Sequence, residues 1–189
     1  MKINFNKQLF NKEYIKFIKN AYEEALKILK IKCKDLEINI NFVTPKEIKE
    51  LNNKFRNKDS VTDVLSFPNL LEPNKTDMQL IVDKLTKANF KNEINPETNN
   101  IYVGDICICK KVVYKHAKEY ENTKLREMVY MAVHGFLHLL GYDHMKDSDK
   151  QVMREMEEKI MKKVNLVRWY EIWICGNIRW SQCWKKYFA

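Results

Sequence analysis

The spacing of apolar residues changes period between Asn11 and Phe42. Tyr14, Phe17, Ile18, Ala21, Ala25, Leu26 and Leu29 recur at helical spacing, whereas Leu36-Glu37-Ile38-Asn39-Ile40-Asn41-Phe42 alternates apolar with polar. The first pattern predicts a helix of about five turns and the second a strand with one buried face. A short strand candidate, Ile3–Phe5, precedes them, and Thr44-Pro45 caps a second helix carrying Ile48 and Leu51. The chain therefore opens β-α-β-α, and each element must find a partner for its apolar side.

Val61 to Phe67 reads as a third strand halted by Pro68, and residues 69–99, with Pro73 and Pro96, read as a long irregular excursion. Ile101 to Ile108 supplies a fourth strand. Helices are expected from Lys110 to Tyr120, from Thr123 to Leu140, and from Ser148 to Val164 behind an Asp147-Ser148-Asp149 cap. The expected class is α+β, with one small mixed sheet of about four strands packed by about five helices. With 189 residues, of which 45% are hydrophobic and 31% charged, the chain suits one core under a solvated surface and excludes disorder as the default. The domain is expected to span 1–163, followed by a tail, 164–189, that holds all four tryptophans. Interleaved with basic residues, these rings have two readings: stacking on bases, or packing on the domain.

The N-terminus lacks a signal peptide's apolar run, and no window approaches the ~20 apolar residues of a membrane span, so a cytoplasmic, membrane-free protein is expected. The five cysteines form no Cys-x-x-Cys pair. Cys107 and Cys109 are expected as small buried residues on one strand face, not as metal ligands. A net charge of +9 favours polyanionic partners, although a lysine-rich solvated surface alone would account for it.

Three of the four histidines fall within His134-Gly135-Phe136-Leu137-His138-Leu139-Leu140-Gly141-Tyr142-Asp143-His144. His134 and His138, four apart on a helix, share a face. Gly141 is placed to end that helix in a left-handed conformation, so that His144 can return toward the pair. Three imidazoles suit one tetrahedral Zn²⁺ per chain, with a fourth position for water and other divalent metals as alternatives. His116, on a lysine-rich helix, reads as a bystander. A glycine inside a helix costs ~1 kcal/mol relative to alanine, so Gly135 marks a close approach. It also occupies the place where His-Glu-x-x-His peptidases carry their general base.

The run from His134 to His144 resembles the His-Gly-x-Leu-His-Leu-x-Gly-Tyr-Asp-His signature of the YbeY family of bacterial endoribonucleases. Arg56, Thr62-Asp63-Val64-Leu65-Ser66-Phe67-Pro68, Gly104-Asp105-Ile106 and Glu127 resemble further family motifs, and together the likeness covers about residues 1–163. The resemblance implies a zinc-hydrolase-like α+β domain with a histidine-bound zinc and a basic groove for single-stranded RNA. It further implies maturation of the 3′ end of small-subunit ribosomal RNA and ribosome quality control, with ribosomal RNA and the small subunit as partners. Arg56 is similar to the family's catalytically important arginine, and a planar guanidinium suits phosphate binding. The tail departs from the family pattern.

Asp63 and Asp143 each have two readings, capping a turn or accepting a ligand histidine's N–H from outside the metal's own shell. Thr62 and Ser66 could likewise buttress the site, and Asp105 close a turn or touch RNA. Two other functions stay open on the residues alone: a zinc peptidase or amidase, and a non-catalytic ribosome assembly factor with a structural metal. The first is disfavoured by Gly135, the second by the lack of a fourth suitably spaced ligand.

Overall fold

Asn11 is the N-cap of the first helix, its side chain accepting from the Glu13 N–H at 2.9 Å. The computed structural model describes residues 1–6, 11–70, 78–143 and 147–167. In chain order the elements are β1 (Lys2–Phe5), α1 (Lys12–Ile28), β2 (Leu36–Phe42), α2 (Pro45–Arg56), β3 (Val64–Pro68) and α3 (Met78–Lys84). These are followed by β4 (Ile94–Asn95), β5 (Asn100–Ile108), α4 (Lys110–Glu119), α5 (Lys124–Leu139) and α6 (Asp147–Lys163). The class is α+β with one mixed sheet. Its main path is β1-β2-β5-β3; β1, β2 and β5 run parallel, while β3 and the short β4 pair antiparallel with β5.

Most boundaries follow the sequence expectation. Thr44 forms a full capping box with Glu47, and Thr123 caps α5 through the Arg126 N–H. Three details differ. The 69–99 excursion contains α3 and β4, which makes six helices and five strands among the described residues. Two residues of β4 are too few to show a period, and only pairing of Ile94 with Ile101 and of Asn95 with Asn100 makes them a strand. β3 begins at Val64 instead of Val61, because the Asp63 carboxylate accepts from the Val64 N–H and the Thr62 hydroxyl, closing a turn there. Pro68 stays in the strand, opposite Gly104, because β3 lies at the sheet's edge and needs no outward N–H.

One sheet face carries Ile38, Ile40, Ile106 and Ile108, all fully buried, under Ile18, Tyr22 and Ala25 of α1 and Val129, Ala132, Val133 and Phe136 of α5. Tyr22 ties the two helices together: its ring stacks on Phe136 at 4.6 Å and its hydroxyl donates to the Ala132 carbonyl at 2.8 Å. α6 packs on both α1 and α5. On the opposite face α2 covers a small cluster of Ile48, Leu65, Cys107 and Cys109. Both cysteines are thus buried as expected, although Cys109 stands at the start of α4 and not within the strand. Val164 is buried and Leu166 packs on the core, so the folded body continues past α6 to the last described residues. The four tryptophans lie outside the described residues.

Candidate metal centre

Gly135 lets α5 lie directly on the sheet. A Cβ there would come within 2.7 Å of Ile106 Cγ2 and 3.2 Å of Ser66 Oγ, so the close approach inferred from the sequence is to β5 and β3. This seats the flanking His134 at the helix margin, its side chain 22% exposed. One turn later His138 reaches it: the two Nε2 atoms are 3.1 Å apart, with rings nearly perpendicular at 83°.

The far side of each ring is anchored. His134 Nδ1–H donates to Glu157 Oε1 of α6 at 2.6 Å, and His138 Nδ1–H donates to the Tyr142 carbonyl at 2.8 Å. A carbonyl and a carboxylate can only accept, so each neutral ring holds its proton on Nδ1 and turns an Nε2 lone pair toward the other. Two nitrogens about 2.0–2.1 Å from one tetrahedral ion stand about 3.3 Å apart, close to what is found here. The pair therefore fits a divalent ion as two of its ligands. Gly141, at φ +90°, ends α5 as expected and presents the Tyr142 carbonyl to His138. His144, the third expected ligand, lies outside the described residues. Among the described residues no group of three or more His, Cys, Asp or Glu side chains could hold an ion.

Arg56 is the exposed last residue of α2, followed by Asn57 in a left-handed conformation. Beside it Phe55 is 56% exposed, packs edge-on against Phe67 of β3 at 5.1 Å, and carries Lys54 Nζ 5.3 Å above its ring. Phe67 adjoins Ser66, whose hydroxyl faces Gly135, so α2 and α5 meet the edge strand β3 from its two sides. Asp63 does lie beside a histidine, but that histidine is His116, whose Nδ1 is 3.4 Å from Asp63 Oδ2, and not His134 or His138. Asp143 is half-buried, immediately before residues 144–146. Thr62 bonds Asp63. Asp105 accepts from Tyr102 and Asn39 on the sheet's polar face, away from the histidines. Glu127 is buried within α5, paired with Arg126 at 2.9 Å and accepting from Asn122.

Sequence reasoning passes over Glu157, because a carboxylate among Lys150, Arg154, Glu155, Glu158 and Lys159 reads as solvated surface. Its signature is the Arg126, Tyr130, His134, His138 series, a four-residue stripe along α5 that requires a polar counterpart.

Residues 2–165 match the family described as Endoribonuclease YbeY. Among curated relatives, the Endoribonuclease YbeY of Clostridium botulinum strain Hall is 39% identical over 167 residues, covering 88% of this chain and 95% of the relative. That of Clostridium kluyveri is 41% identical over 152 residues, 80% of this chain and 89% of the relative. A solution structure of a protein from Thermotoga maritima superposes with a TM-score of 0.54 at 29% identity, covering 92% of this chain and 93% of that one.

Proposed function

The chain belongs to the YbeY endoribonuclease family, and from that premise we propose that it is a metal-dependent endoribonuclease cutting single-stranded RNA. We infer further that it acts in the cytoplasm on the 3′ end of small-subunit ribosomal RNA and in ribosome quality control. The observation that carries the chemistry is the pair of Nδ1-anchored imidazoles with Nε2 atoms 3.1 Å apart. His134 and His138, with His144 as the third ligand, would hold a zinc ion or another divalent metal. When bound, such an ion supplies Lewis acidity and an activated water.

The chain's own residues supply the remainder. Glu157 and the Tyr142 carbonyl each hold an Nδ1 proton and orient the two imidazoles. Arg56 offers a planar, permanently charged fork to two phosphate oxygens, and the exposed Phe55 ring beside Lys54, Arg56 and Lys58 offers a surface on which a base can stack. A net charge of +9 supports the same substrate class. No helix among the described residues is long and apolar enough to cross a membrane. A peptidase of the His-Glu-x-x-His type would need a carboxylate at position 135, where Gly135 has no room even for a methyl group.

The test is Arg56→Ala, assayed for both metal content and cleavage of an unstructured RNA, with and without chelator. Metal should remain at one ion per chain while cleavage is lost. Arg56→Lys should recover little, because a point charge cannot form the bidentate contact. Unchanged cleavage in Arg56→Ala would remove the arginine from the mechanism, and a metal-loaded wild type inert to RNA would remove the nuclease reading.

A further inference from the structure

Along α5, Arg126, Tyr130, His134 and His138 follow one another at intervals of four residues and so form one stripe down the helix. Opposite it, α6 presents two consecutive carboxylates. Glu158 takes the Arg126 guanidinium at 3.1 and 3.3 Å. Glu157, only 3% exposed, uses both oxygens: Oε1 accepts from His134 Nδ1–H at 2.6 Å and Oε2 from the Tyr130 hydroxyl at 2.5 Å. The Tyr130 ring lies between its stripe neighbours, with the Arg126 guanidinium 5.2 Å from its centroid on one side and the His134 ring at 6.5 Å on the other.

We propose that Glu157 is a positioning residue for the metal centre. It holds His134 as the Nδ1–H tautomer in one ring orientation, and is itself held by Tyr130. The inference rests on the reading of His134 and His138 as ligands. The physical reason is specific to a carboxylate with both oxygens engaged. The Tyr130 bond removes the freedom of Glu157 to rotate about its terminal torsion, so the bond to His134 sets the imidazole plane as well as its proton. A negative acceptor on Nδ1 also makes Nε2 a better donor to a cation than a carbonyl would. His138 has the weaker of the two arrangements, a backbone carbonyl. The stripe thus grades from an ion pair that docks α6, through the tyrosine and glutamate, to the ligand. A purely structural Glu157 would join α6 to α5 and leave ligand chemistry untouched.

The experiment compares wild type, Glu157→Ala, Glu157→Gln and Tyr130→Phe in the full chain by two readouts. The first is zinc affinity by chelator competition, with folding monitored by circular dichroism. Glu157→Ala should weaken zinc binding about 10–100-fold. Glu157→Gln, which keeps one acceptor for Nδ1–H but neither the charge nor the second acceptor for Tyr130, should recover only part of the loss, and Tyr130→Phe should fall between wild type and Glu157→Ala. The second readout is the ¹⁵N signature of the His134 ring in metal-free protein at about pH 8.5, where imidazole is neutral. Wild type should show a single Nδ1–H tautomer and Glu157→Ala a mixture.

A folded Glu157→Ala chain with unchanged zinc affinity and an unchanged tautomer would overturn the proposal. So would an Nε2–H tautomer in wild type, a result that does not depend on any variant folding. If wild type binds no zinc yet shows the Nδ1–H tautomer, the metal reading fails while the positioning geometry stands, so the two failures can be told apart.

Discussion

Two buried glutamates, on opposite faces of the sheet, show how similar polar clusters differ in what they can do. Glu37 of β2 is 3% exposed and receives bonds from Asn4 at 2.7 Å, Asn95 at 3.3 Å, Thr98 and Lys2, around an open cleft of about 550 Å³ rich in asparagine. Glu157 of α6 is as deeply buried but receives its bonds from Tyr130 and His134. Every partner of Glu37 is an amide, hydroxyl or ammonium, and Asn4 carries the network on through Asn39 to another carboxylate, Asp105. The imidazole on Glu157 passes the interaction through its ring to a second nitrogen, which faces His138. A network that closes from carboxylate to carboxylate stabilises a fold; one that ends in a directed lone pair can bind an ion.

The comparison breaks most readily at His138. His138→Ala should reduce bound metal from about one ion per chain to none by elemental analysis, whereas Glu37→Ala should leave metal content unaltered. Full occupancy in His138→Ala would place the ligand set elsewhere.

Glu37→Ala should instead cost about 1 kcal/mol in urea denaturation, since it strands several part-buried donors. Its carboxyl also gives the cluster a pH dependence. Burial pushes its pKa up, but hydrogen bonds from Thr98, Asn4 and Lys2 together with the lysine charge outweigh this and hold it below the ordinary value. A lowered folded-state pKa stabilises the fold above the unfolded carboxylate's pKa of ~4.3, and that stability is lost as pH falls through the lower folded value. Glu37→Gln should therefore flatten the acid limb of the stability curve below about pH 4. An identical acid limb would assign the acid response to other carboxylates.

Gly135→Ala sharpens the contrast at the helix itself. The added methyl gains helix propensity of up to ~1 kcal/mol but meets Ile106 at 2.7 Å. Overpacking costs about 1–3 kcal/mol, so the variant should lose stability in the same denaturation assay, with weaker metal binding as α5 shifts. A stabilised variant retaining full metal affinity would show that the sheet yields at this point.

The smallest effect is expected from removing residues 168–189. Stability and metal content should not change measurably, because the histidines of α5, Glu157 and the core residues Val164 and Leu166 all precede the cut. Loss of metal from the shortened, folded chain would bring the tryptophans into the site.

Local order in this protein was legible where local physics decides it. The helical spacing from Tyr14 to Leu29, the alternation from Leu36 to Phe42, the cap at Thr44 and the glycine stop at Gly141 all depend on residues within a few positions of one another. So did the pairing of His134 with His138, since four residues make just over one helical turn. What the linear pattern left undecided joins distant segments. β4 exists only through its pairing with β5, and Asp63 meets His116 and not His134 or His138 because the turn before β3 lies beside α4. Glu157 lies 23 residues from His134, and only the packing of α6 on α5 gives it that partner. The sequence by itself determined which helix carries the imidazoles, because helical period is a property of the backbone. For His134, the packing of α6 on α5 decided which way its proton and lone pair point, because its acceptor comes from the next helix, whereas the acceptor for His138 lies only four residues on.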